Sequence, residues 1–181
     1  SSGFVNAGDG FLATYYDGQN SDQARALQGI RYEELRPNLN STDQNNGYWQ
    51  TGKPAAMTSG DSNTWSARFT ATLTATETGV HTFRTYSDDG GRLRVDGDQS
   101  IDNWTNHGPT YDTGTISLQA GEHYDIEIEY YENNGNARLG LEWNLPSMVA
   151  NDFVFVPTSV LDSGMSSADR KRNFVNVRDY G

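Results

Sequence analysis

The sequence predicts an all-β protein, an antiparallel β-sandwich with long loops and at most short helices. Runs of strict apolar/polar alternation, each of strand length, are the first reason. Composition is the second: aromatic residues make up 12 % and glycine occurs 19 times, which suits a sandwich with many turns better than a helix bundle. Size is the third, because 181 residues allow one domain with one sizeable core. A single domain over residues 1–181 is expected, with its core at about 10–161 and a tail or edge segment at 162–181.

Phe11 to Tyr16 reads as the first strand, closed by Asp17-Gly18. Ser21-Asp22 is placed to cap a short helix through Leu27. From Arg36 to Gly60 the chain is rich in Asn, Gln, Gly, Ser and Thr without a period, so a long loop with one short strand at most is expected. Period two in Trp65–Leu73 puts Trp65, Phe69 and Leu73 on one face and Ser66, Arg68 and Thr70 on the other. After a turn at Glu77-Thr78-Gly79, Val80 to Tyr86 is β-branched and aromatic. Leu93 and Val95 lead into a hairpin turn at Asp96-Gly97. Thr115 to Leu118 precedes a turn at Ala120-Gly121, and Tyr124, Ile126, Ile128 and Tyr130 alternate with acidic residues. Leu139, Leu141 and Trp143 form another half-buried strand, and Phe153 to Val156 ends at Pro157. Eight or nine strands with frequent turns make the sandwich.

Charge and composition narrow the partners. A formal charge of −11 and no cysteine exclude a disulfide framework and thiolate metal sites, and they argue against a nucleic-acid partner, which needs a basic footprint. The hydrophobic runs are too short to insert in a membrane. The chain opens without Met or a signal peptide and reads as a segment of a longer protein. An acidic surface favours divalent cations.

Two loops carry the chemistry. Tyr86-Ser87-Asp88-Asp89-Gly90-Gly91 sits where a strand ends. Adjacent carboxylates repel unless a cation lies between them. Neighbouring side chains of an extended chain point to opposite faces, so both reach one cation only if the backbone departs from that geometry, as a cis peptide would allow. Glu132-Asn133-Asn134-Gly135-Asn136-Ala137 closes the Tyr124–Tyr130 strand. Asn side chains and backbone carbonyls are hard oxygen donors that suit calcium. Loops of a sandwich cluster at its two ends, which lets the two segments meet. An ordinary acidic turn and a plain Asn/Gly hairpin are the bland alternatives.

The run Trp65…Phe69-Thr70-Ala71-Thr72-Leu73, Gly79 through Gly97 with its Asp-Asp-Gly-Gly centre, Ile101-Asp102-Asn103-Trp104, and Gly121…Tyr124…Tyr131-Glu132…Leu141-Glu142-Trp143 resembles the protective-antigen domain family over about Gly10 to Leu161. The resemblance implies a β-sandwich lectin. In lectin members an Asp-Asp pair joined by a cis peptide binds one calcium, and a second loop adds an Asn-type side chain and backbone carbonyls. By this likeness Asp88 and Asp89 match the pair, Asn134 the side-chain ligand, and Asn136 and Arg138 the carbonyls, with Asn133 as the alternative register. Two neighbouring sugar hydroxyls would complete the calcium shell, with Tyr131, Trp104 and Arg138 at the rim. For Trp104, packing is the favoured role over sugar contact. Asp96, Asp98, Asp102 and Asp22 are secondary candidates. The acidic, cysteine-free composition is similar to the bacterial repeats-in-toxin adhesins of the family. The expected partner is a cell-surface glycan or polysaccharide, bound through vicinal diols of fucose- or glucose-type sugars by an extracellular, monomeric domain. The alternatives are a structural or protein-interaction spacer and an auxiliary domain of a glycoside hydrolase.

No catalytic residues are expected. Glu127 and Glu129 share a strand face at a spacing glycosidases use, but a solvated acidic face is the simpler reading. His81, His107 and His123 lack metal-ligand spacing, and no nucleophile elbow or phosphate loop appears.

Overall fold

The computed structural model describes residues 8–17, 27, 29–44 and 46–166. Its strands in chain order are β1 (Phe11–Tyr16), β2 (Arg31–Arg36), β3 (Tyr48–Gln50), β4 (Ser66–Thr74), β5 (Gly79–Asp88), β6 (Gly90–Val95), β7 (Asp98–Asn103), β8 (Thr110–Leu118), β9 (His123–Tyr131), β10 (Ala137–Asn144), β11 (Val154–Phe155) and β12 (Leu161–Asp162). All pairings are antiparallel. One sheet runs β2-β1-β4-β9-β6-β7, with β12 continuing the β1 edge of β4. The other runs β11-β10-β5-β8, with β3 at the opposite end of the β11 edge. The described residues contain no α-helix, and no helix among them is long and apolar enough to cross a membrane. The helix expected at Ser21–Leu27 and most of the 162–181 tail lie outside the described residues.

Alternation does what the sequence requires of it. Ala67, Phe69, Ala71 and Leu73 of β4 and Ile126, Ile128 and Tyr130 of β9 are buried between the sheets, facing Phe83, Leu139, Leu141 and Trp143. Each large apolar side chain so buried stabilises the fold by roughly 1.5–3 kcal/mol. Beneath one end of the sandwich the core becomes aromatic. Trp65 meets Trp49 at 5.1 Å and 89°, and Tyr130 at 5.2 Å.

β2 is a strand that alternation did not place. None of its residues is buried, so its RYEELR sequence carries no apolar stripe; backbone pairing to β1, the partly buried Tyr32 and the bonds of Glu34 and Arg36 to the Tyr15 hydroxyl hold it. β8 begins at Thr110, five residues before the Thr115 expected, for the same reason: every second residue of it faces solvent. The β6–β7 turn at Asp96-Gly97 has φ of +49° and +78°, the double left-handed geometry that Asp-Gly hairpins favour.

Besides the β3–β4 connection, three crossings from one sheet to the other lie at the aromatic end and build the site. β5 passes to β6 through Asp89 alone, β7 to β8 through residues 104–109, and β9 to β10 through residues 132–136. Cα register places Gly90 opposite Tyr131 and Asp88 opposite Arg138, so the first and third crossovers lie side by side. The first and last described segments meet at the other end. Gly8 and Gly10 N–H groups donate to the Leu161 carbonyl, and Ser163 binds both carboxylate oxygens of Asp9. The crossovers are thus roughly 23 Å from that junction, by strand rise over Ser66 to Leu73.

Candidate metal and saccharide site

The crossovers assemble three buried carboxylates. Asp88 and Asp89 are joined by a cis peptide, and together with Glu132 each places a carboxylate oxygen within 4.8 Å of the others. Exposure is 8 %, 7 % and 2 % for Asp88, Asp89 and Glu132. None of the three takes part in an ion pair among the described residues.

Hydrogen bonds fix the cluster from all three crossovers. Asp89 accepts from the His107 N–H at 3.1 Å and from the Asn133 N–H at 2.8 Å. Glu132 accepts from the Asn134 N–H at 2.9 Å and from the Tyr130 hydroxyl at 3.0 Å. That hydroxyl also reaches the Asp88 carbonyl. Burial, then the charge of Asp89, pushes the Glu132 carboxyl up to about 8. Burial and the same charge push Asp88 up to about 6, against the pull of His107 and Arg138. Burial also raises Asp89, moderated by the two backbone N–H groups it accepts from. Uncompensated negative charge taken out of water is costly, and a cation at this point would offset it.

The donor set fits such a cation. Three carboxylates are hard oxygen ligands, and no His or Cys accompanies them in the cluster. Asn133 Oδ1 is buried without a hydrogen-bond partner, while the Asn133 N–H is already bound to Asp89. A buried amide oxygen in the residue whose N–H binds Asp89 is a further hard oxygen donor on the same loop.

Other residues singled out in the sequence are placed as follows. Asn134 (φ +131°) and Asn136 have exposed side chains, and Asn134 reaches the cluster through its N–H. Arg138 stacks its guanidinium 3.7 Å from the Tyr48 ring centroid. Tyr131 donates to Asn106 Oδ1 at 2.8 Å and meets Trp104 edge-on at 4.8 Å, and Arg92 lies 3.9 Å over Trp104. Trp104 therefore packs at the rim rather than standing free. Asp96 accepts from the Asp125 N–H, Asp98 and Asp102 are exposed on the β6–β7 hairpin, and Asp22 lies outside the described residues.

Sequence reasoning did not single out Glu132 or the His107 backbone. Glu132 directly follows a strand whose inward alternation ends at Tyr130, so an acidic residue entering the loop beside Asp89 was the available signal. For His107 no local signal exists.

Gly90 has a steric reason. A Cβ there would meet the Tyr131 ring at 2.0 Å. Gly90→Ala is expected to displace that ring and cost about 1–3 kcal/mol, as overpacking does, in urea unfolding.

Glu127 and Glu129 make a different structure from the site. Glu129, 2 % exposed, accepts from Arg68 at 2.7 Å, Arg92 at 2.8 Å and Arg94 at 2.6 Å. Burial opposes its charge, but these three arginines outweigh it and hold the carboxyl below its usual range. A general acid needs the reverse. Glu129→Gln should cost about 2 kcal/mol in urea unfolding, the worth of a charge-assisted hydrogen bond, with calcium affinity unchanged.

The described strands form an antiparallel β-sandwich whose crossovers gather around an acidic cluster at one end. The chain belongs to the PA14 domain family, whose model matches residues 8–152. Over 99 residues it is 37 % identical to the anti-sigma-I factor RsgI3 of Acetivibrio thermocellus, a match covering 55 % of this chain and 15 % of that protein. Among solved structures, an anti-sigma factor domain-containing protein is similar at 30 % identity and a TM-score of 0.72, over 86 % of this chain and 48 % of that one. The PA14 sugar-binding domain from an RTX adhesin matches at 17 % identity and a TM-score of 0.68, over 87 % of this chain and all of that one. This chain thus spans less than half the length of the two anti-sigma relatives.

Proposed function

We propose that the chain is a calcium-dependent, non-catalytic carbohydrate-binding module. The observation that carries this is the buried Asp88–Asp89–Glu132 cluster, with Asn133, whose N–H binds Asp89 and whose buried Oδ1 has no hydrogen-bond partner, on the adjoining loop. Asp88, Asp89, Glu132 and the Asn133 side chain would hold the ion, with loop carbonyls near Asn136 and Arg138 as further donors. Bound calcium would supply a centre on which a vicinal diol replaces two waters. Asp88 and Asp89 would accept hydrogen bonds from the same two hydroxyls. Fucose- and glucose-type sugars offer such diols.

A single shallow site binds a monosaccharide at millimolar to sub-millimolar Kd, so adhesion would rest on several copies. The module would face the cell exterior, where free calcium and glycans meet it.

Two parents suit this module. In a surface adhesin the crossovers would be the tip, held away from the chain junction. Identity to anti-sigma factors favours a second parent, a regulatory protein in which the same site serves as the ligand-reading domain. Flanking gene sequence separates the two.

The test is an amide NMR titration with D-glucose and L-fucose, in millimolar calcium and in excess EDTA. Shifts at 88–91 and 132–136 that vanish in EDTA are expected. Sugar shifts that persist in EDTA, or none in calcium, would sink the reading.

A further inference from the structure

We propose that the outer face of the five-stranded sheet carries a second saccharide subsite, where Tyr86 and Tyr111 stack the sugar ring adjoining the one held at Asp88 and Asp89. This rests on the carbohydrate reading above and extends it to neutral oligosaccharides.

Tyr86 and Tyr111 are cross-strand partners on β5 and β8. Their rings lie 4.4 Å apart at 41°, and Tyr111 remains 56 % exposed. Arg84 also lies over the Tyr111 ring, its guanidinium carbon 4.3 Å from the centroid, and the remainder of the ring stays in water although cross-strand pairing does not require it. An exposed tyrosine offers a pyranose an apolar face with a hydroxyl at its edge.

Position ties this pair to the metal site. Tyr86 stands two residues before Asp88 on the same strand, about 6.5–7 Å away by strand rise. Arg138, the register partner of Asp88, bridges the interval. Its guanidinium carbon lies 5.6 Å from the Tyr86 ring centroid. Its Nε is buried with no hydrogen-bond partner. With the guanidinium stacked on Tyr48 and Nε out of reach, its terminal Nη groups are the donors for hydroxyls of a ring lying between the two tyrosines and the carboxylates.

Calorimetric titration in millimolar calcium tests this with D-glucose, maltotetraose and cellotetraose on the wild type, Tyr111→Ala and Tyr111→Phe. One tetraose should bind the wild type about tenfold tighter than glucose, a difference of about 1.4 kcal/mol. Tyr111→Ala should bring that tetraose back to within about twofold of glucose, while Tyr111→Phe keeps most of the gain, since stacking needs the ring. Glucose and calcium affinities should stay the same in both variants, and melting temperatures confirm the fold. A tetraose gain that survives in Tyr111→Ala, or no gain in the wild type, overturns the subsite and leaves the calcium reading standing. No calcium-dependent glucose binding in the wild type would strike the calcium reading itself, and the subsite would fall with it.

Discussion

Asp89→Asn should lower calcium affinity about 100-fold and abolish measurable monosaccharide binding, while the sandwich keeps its circular dichroism. A factor of 100 is about 2.7 kcal/mol, within the range for removing one member of a desolvated charged contact. Asp89 has the greatest leverage because its two oxygens accept from two different crossovers, at His107 and at Asn133. The amide of an Asn there must turn one N–H toward a backbone donor. One loop is then repelled while the cluster loses a charge. Asp88→Ala should match it in calcium loss but leave those two loop contacts in place. The strands carry few contacts to these carboxylates, so the hydrophobic core is untouched. Unchanged calcium affinity by calorimetry in Asp89→Asn, or an unaltered glycan-array profile, would remove the basis of the proposed function.

The legible parts of the fold and site share one property: their signal is local. Strands β4, β5, β9 and β10 could be read because alternation reports a buried face directly. The Asp-Asp-Gly-Gly run could be read because two adjacent like charges at a strand end need an explanation within their own segment. β2 was not legible because an edge strand stabilised by pairing needs no apolar stripe. Glu132 stood in a loop already marked for its asparagines, and its burial arises only when β9 delivers it beside Asp89. Asn133 and Asn134 could not be ordered from sequence, since both are amides in one turn. Their separation rests on backbone geometry, which buries the Asn133 oxygen and leaves the Asn134 side chain in solvent. The His107 contact is made by a main-chain N–H, and main-chain donors are invisible to residue type.

Calcium should raise the melting temperature by roughly 8–16 °C at pH 8 and by far less at pH 5. A ligand at about 1,000 times its Kd stabilises by about 4.1 kcal/mol, and each kcal/mol moves the melting temperature of a protein this size by about 2–4 °C. The pH dependence follows from the raised carboxyls. Asp88 stands at about 6 and Glu132 at about 8 in the folded chain, against ordinary values of roughly 3.9 and 4.3 when unfolded. Between roughly pH 4 and 8 the folded state therefore binds more protons than the unfolded one, and stability without calcium falls as pH rises through that window. Glu129 is lowered instead. Its contribution is complete above its unfolded value and lost only in stronger acid, so it does not tilt this range. Calcium binds the deprotonated cluster, competes with those protons and relieves the repulsion most where it is greatest. Scanning calorimetry at pH 5 and pH 8, in EDTA and in calcium chloride, reads both effects. Asp88→Asn with Glu132→Gln should flatten the slope in EDTA and abolish the calcium gain. A melting temperature in EDTA that climbs from pH 5 to pH 8, or an equal calcium gain at both, would show that the three carboxylates do not govern the site.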